Sequence, residues 1–95
     1  MKIAVVYTMK GCPYCVDIKE QLRNDNVPFL ERDIDEHEEE FREFILAVGN
    51  DYVPSLMLLT LDDDGDAHNV KLLSPDRDYK DIYEGIEMIK NYLSE

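Results

Sequence analysis

Cysteine is scarce in this 95-residue sequence: there are two, Cys12 and Cys15, and they stand in one C-x-x-C. A secreted disulfide framework spreads several pairs along a short chain, so that class is excluded. A closed zinc site needs about four ligands, and besides the two cysteines only His37 and His68 remain, which argues against zinc. No run approaches the roughly 18 consecutive apolar residues of a membrane span, and residues 1–7 are too short for the apolar region of a signal peptide. A cytoplasmic location is the resulting expectation. Basic side chains are also few, 10 against 22 acidic, and the net charge of −12 repels nucleic-acid phosphates and anionic membrane surfaces. Neither is expected as a partner. There is no internal repeat, low-complexity linker or composition shift to divide the chain, so residues 1–95 are expected to form one domain.

The apolar share is 44%, and the aromatics are six tyrosines and three phenylalanines, enough for one core. The acidic runs at 36–40 and 62–66 read as solvated surface that favours a soluble monomer through self-repulsion. In the aspartate-rich turn, an EF-hand register on Gly65 would put Thr60 first and Lys71 last, and both lack the required carboxylate.

Residues 3–7 form an unbroken β-rich apolar run, a buried strand ending in Thr8-Met9-Lys10-Gly11. Cys15, Ile18 and Leu22 then recur at helical spacing, with Pro13 suited to a first helical position, which predicts a helix over 13–25. Asn26-Val27-Pro28 breaks it, and 29–34 reads as a second strand. Asp35 with Glu38 resembles a capping box before a helix whose apolar face is Phe41, Phe44, Ile45 and Val48, ending at Gly49. Residues 55–61 and 68–73 flank the turn Asp62-Asp63-Asp64-Gly65-Asp66 as a hairpin. Ile82, Ile86, Ile89 and Leu93 mark a last helix, with 74–78 as connection and cap. The order is βαβαββα: an α/β domain with a parallel first half and a hairpin closing the sheet.

The two cysteines fall at the junction of the first strand and helix. C-x-x-C spacing there puts both sulfurs on adjacent turns, close enough for a reversible disulfide. Cys12 occupies the helix N-terminus, where unpaired N–H groups and the positive dipole end stabilise a thiolate, so it is the expected nucleophile. Cys15 shares the face of Ile18 and Leu22, and burial suits it to the resolving role. The chemistry is thiol–disulfide exchange through a mixed disulfide, with no tightly bound metal or organic cofactor. Lys10 is a candidate for stabilising the thiolate or holding an anionic substrate. Tyr14 reads either as a spacer or as an aromatic wall of the substrate groove, and Pro13 and Tyr52 are further candidates for substrate contact.

Through Tyr7-Thr8, Cys12-Pro13-Tyr14-Cys15 and Val53-Pro54, the sequence resembles the glutaredoxin branch of the thioredoxin-fold family along essentially its whole length. Thioredoxins typically carry Trp-Cys-Gly-Pro-Cys, and this chain has no Trp. The resemblance implies a thioredoxin fold, a four-stranded mixed sheet flanked by three helices, and a glutathione-dependent oxidoreductase with glutathione as co-substrate and disulfide-containing proteins as partners. It also implies that Pro54 follows a cis peptide bond facing the cysteines, so that the Val53 backbone pairs with substrate like an added strand. Without the resemblance, Pro54 reads as an ordinary strand-entry proline.

The sequence departs from the family pattern at several positions. The usual Lys three residues before the first cysteine is Met9, with Lys10 displaced by one. Tyr52 replaces the Thr of Thr-Val-Pro, and Asp51 stands where a basic residue is common. Arg77-Asp78-Tyr79-Lys80-Asp81 replaces a glycine-containing stretch. There Asp81 is the candidate for the glutathione ammonium, and Lys80 for the adjacent carboxylate. Two competing readings use the same cysteines. One is a thioredoxin-like donor, for example to ribonucleotide reductase, recharged by thioredoxin reductase. The other is an iron–sulfur carrier through Cys12 and glutathione, against which Pro13 argues.

Overall fold

The first apolar run becomes β1 (Lys2–Thr8), and it is buried from Ala4 through Thr8 because it is central in the sheet and helices cover both faces. In the computed structural model, which describes residues 1–95, it pairs in parallel with β2 (Leu30–Asp33) and antiparallel with β3 (Ser55–Leu61). The hairpin partner β4 (Ala67–Leu73) completes a four-stranded sheet in the order β2-β1-β3-β4. With α1 (Pro13–Asn24), α2 (Glu38–Val48) and α3 (Ile82–Ser94), the expected βαβαββα order and the thioredoxin fold are present.

The period-2 alternation of β1 divides the core between the two faces of the sheet. Ala4 and Val6 pack with Ile18 and Leu22 of α1 and with Ile82, Ile86 and Ile89 of α3. Val5 and Tyr7 point the other way, onto Phe41, Phe44 and Val48 of α2. The Tyr7 ring lies 5.0 Å from that of Phe44, and its hydroxyl donates to Glu40 Oε2 at 2.5 Å. Burial, and then Glu40, raise the Tyr7 pKa well above its ordinary value. No helix is long and apolar enough to cross a membrane.

Two capping expectations are corrected. Asp35 does not cap α2; the N-cap is His37, which makes no side-chain cap bond, and Asp33 Oδ1 instead accepts from the Asp35 N–H in a turn that delays the helix. For α3 the cap lies outside 74–78: Asp81 Oδ1 accepts from the Glu84 N–H at 3.0 Å. Residues 74–80 are already committed to their own turn, so the first extended residue with a free carboxylate takes the cap. Gly49 does end α2, at φ 87° in the left-handed region.

Candidate active site

Between β1 and α1 the chain turns at Gly11, whose φ of 78° is in the region a side chain disfavours. Cys12 follows as the N-cap of α1 with extended backbone, and Pro13 takes the first helical position, where its missing N–H costs nothing. The Cys12 Sγ accepts the Cys15 N–H at 3.1 Å. That donor, together with the positive end of α1, favours the thiolate when the pair is reduced. No acidic residue in the first turn of α1 opposes it. Cys12 and Cys15 are joined as a disulfide with their Cα atoms 5.2 Å apart. Cys15 is 1% exposed and aligned with buried Ile18 and Leu22, while Cys12 is 8% exposed, so the outer sulfur is that of Cys12.

Facing α1 is the loop before β3, where the Val53-Pro54 peptide is cis. The Pro54 carbonyl accepts a hydrogen bond from the hydroxyl of Tyr79, a residue 4% exposed and far away in sequence. Burial, with a smaller contribution from Asp78, raises the Tyr79 pKa, so the hydroxyl stays protonated as a donor. Tyr79 belongs to a strap, residues 74–81, folded on itself by Asp78 accepting from the Ser74 N–H at 2.8 Å and by the Asp76 N–H donating to the Tyr79 carbonyl at 2.9 Å. Asn50 ties loop to strap: its Oδ1 accepts from the Tyr52 N–H and the Ser74 hydroxyl. The Tyr79 ring lies against Gly85 of α3, where an added Cβ would come within 3.4 Å of it.

A cleft of about 780 Å³ runs between these walls. Of the residues expected to bind substrate, Tyr14, Tyr52, Val53, Pro54, Lys80 and Asp81 line it together. Lys10 and Pro13 do not; Met9 lines the cleft in place of Lys10, because successive side chains entering the turn point to different sides. Neither cysteine lines the cleft itself; Met9 and Tyr14, which do, flank Cys12 in sequence, and Tyr14 stands between the two cysteines. His37 and His68 stand apart from it, and His68 pairs with Asp62 at 2.7 Å.

Sequence reasoning missed Asp17, Asp76, Tyr79 and Tyr83 as lining residues and Asn50 as the tie between loop and strap. A lone large aromatic, Tyr79, within an otherwise charged stretch was the available signal. For the others only the tertiary arrangement makes the assignment.

The glutaredoxin family profile matches residues 4–58, more than half of the chain and including both cysteines and Val53-Pro54. Among solved structures, a thioredoxin from Thermus thermophilus superposes with a TM-score of 0.57 at 16% identity, covering 97% of this chain and 73% of that one. A Malassezia sympodialis thioredoxin, Mala s 13, superposes with a TM-score of 0.53 at 15% identity, covering 96% and 76%. Curated protein sequences yield no match. A disulfide-capable pair at a helix N-terminus on this sheet, carried in a matched family segment, has one consistent reading: the chain belongs to the glutaredoxin family, with the thioredoxin fold and thiol–disulfide oxidoreductase chemistry.

Proposed function

We propose that the protein reduces disulfides of polypeptides and glutathione mixed disulfides in the cytoplasm, as a monomer, with glutathione as the returning reductant and no tightly bound cofactor. The observation that carries this reading is the Cys12 sulfur at the α1 N-terminus beside a cleft that also holds Val53 and Pro54. The reduced Cys12 thiolate attacks one sulfur of the substrate disulfide, and the other sulfur leaves as a thiolate and takes up a proton. Cys15, once deprotonated, attacks Cys12 in the mixed disulfide, releasing the second substrate thiol and forming the Cys12–Cys15 bond. Two electrons pass to the substrate, and two glutathione molecules return them. Lys80 is suited to a glutathione carboxylate, and Asp81, whose Oδ1 caps α3, to its ammonium through the other oxygen. Nucleic acid and membranes are not proposed as partners.

A second reading, recharging by thioredoxin reductase, is favoured by the cleft's charge: glutathione is an anion, and Lys80 is the one cation among the lining residues. Glutathione-dependent reduction of a mixed disulfide, coupled to glutathione reductase, separates the two. The wild type is expected to be active, Cys12→Ser inactive, and Cys15→Ser partly active on mixed disulfides that need only one thiol. A wild type inactive in this assay but reduced by thioredoxin reductase would sink the glutathione reading and keep the dithiol one.

A further inference from the structure

Four carboxylates line the cleft, those of Asp17, Asp51, Asp76 and Asp81, against the single ammonium of Lys80, which leaves three net negative charges. None of these five side chains is in an ion pair within the protein, although Lys19, Arg32, Arg77 and Lys90 all are. Asp81 uses one oxygen as the α3 cap, and the side chains of Asp17, Asp51, Asp76 and Lys80 are free to meet a ligand.

The aromatic lining is an independent observation. Of the six tyrosines, Tyr7, Tyr79 and Tyr92 are buried, and the other three, Tyr14, Tyr52 and Tyr83, all line this cleft. They are 66%, 51% and 64% exposed, and Met9, 42% exposed, stands with them. A tyrosine face attracts a guanidinium or ammonium group through its quadrupole, and a nearby carboxylate adds charge-assisted hydrogen bonds. Exposed tyrosines interleaved with unpaired carboxylates make a surface complementary to cationic side chains on an extended backbone.

Resting on the reading that the dithiol acts on polypeptide disulfides, we infer that its substrate is a basic segment, a disulfide cysteine flanked by lysine or arginine. The sulfur of that cysteine meets Cys12 while its basic neighbours lie along Asp51, Asp76 and the tyrosines. The exchange is the one given above, with the Cys12–Cys15 dithiol oxidised and the peptide disulfide reduced to two thiols. The carboxylates take no part in the electron transfer; they raise the population of the encounter complex.

The test uses the full chain, reduced with dithiothreitol and desalted, in single-turnover reactions with two symmetric disulfide-linked peptides. One carries lysine and arginine on both sides of its cysteine; the other carries glutamate at the same places. Each rate, read as released peptide thiol after acid quench, is divided by that peptide's rate with dithiothreitol to remove intrinsic reactivity. At a Debye length of about 30 Å the basic peptide is expected to be favoured about tenfold or more, and the preference to shrink as salt approaches about 1 M.

Asp51→Asn with Asp76→Asn removes two cleft charges at exposed positions, and asparagine suits the positive φ of 68° at Asp76. This double variant is expected to lose most of the preference. Glu38→Gln with Glu39→Gln, on α2 across the sheet from α1 and α3, removes the same charge and is expected to retain it. A normalised ratio indistinguishable from one, or an equal loss in both double variants, would overturn the inference while leaving the oxidoreductase reading intact. Failure of the wild type to reduce either peptide would overturn both.

Discussion

The two walls of the cleft are built by different physics. One follows the turn into α1, with Tyr14 next to the two cysteines in sequence, where backbone geometry does the positioning: a glycine in the left-handed region, a proline at the first helical position and an N–H aimed at a sulfur. The other is the strap before α3, which holds no reactive group and keeps its shape through side chains, with Tyr79 on the Pro54 carbonyl, Asn50 on Ser74 and Asp78 on the Ser74 N–H. The first wall lies inside the matched family segment, and the strap lies beyond residue 58, where the match ends. Exchange chemistry needs only a few contiguous residues on a rigid element. Recognition draws on residues scattered along the chain, and it is there that this sequence departs from the glutaredoxin pattern.

The sharpest way to break this comparison is to remove the tie between the walls. Tyr79→Ala is expected to destabilise the fold by about 3–5 kcal/mol, since it empties a fully packed aromatic site against Leu56 and Gly85. Tyr79→Phe keeps the ring but leaves the Pro54 carbonyl without its donor, at about 1–3 kcal/mol. Urea denaturation of both variants checks the order. If Tyr79→Phe matches the wild type, the hydroxyl does not hold the strap to the loop.

On the dithiol wall, the reduced protein is expected to be alkylated by iodoacetamide at Cys12 before Cys15, and at a lower pH. Cys12 Sγ receives an N–H bond and the end of α1, whereas Cys15 is buried among apolar side chains. Peptide mapping after a short pulse reads the site; equal labelling would remove the electrostatic distinction between the two sulfurs.

The smallest effect is expected where α1 is anchored to the sheet edge. Lys19 pairs with Glu31 at 2.7 Å, and Thr8 donates to the same carboxylate at 2.8 Å. Lys19 chiefly, and then Thr8, hold the Glu31 pKa below its ordinary value of 4.5 against the opposing effect of burial. A pKa depressed on folding adds stability that is complete above the unfolded value and fades as pH falls through the folded one. Glu31→Gln is therefore expected to cost no more than about 1 kcal/mol at neutral pH, screened by salt as befits a partly exposed pair, and to converge with the wild type in acid. A difference that persisted at the lowest pH would point to packing instead of charge.

Local patterning alone determined a large part of this protein. The alternation in β1, the helical stripe Cys15-Ile18-Leu22 and the α2 face Phe41-Phe44-Val48 each depend on residues within a few positions of one another. They emerge where expected because periodicity is enforced by backbone geometry. The sulfur pair was legible for the same reason, its helix start and its spacing both being local. The starts of α2 and α3 were less legible, since Asp33 and Asp81 win their hydrogen bonds through competition with neighbouring turns. What only the tertiary structure decided is the cleft. The sheet order β2-β1-β3-β4 brings residues 9–17, 51–54 and 75–83 together, exchanges Met9 for Lys10, and collects three exposed tyrosines and four carboxylates around one cleft. No periodicity encodes such a gathering, because it joins three segments that lie tens of positions apart and its charged and aromatic members are mostly surface residues.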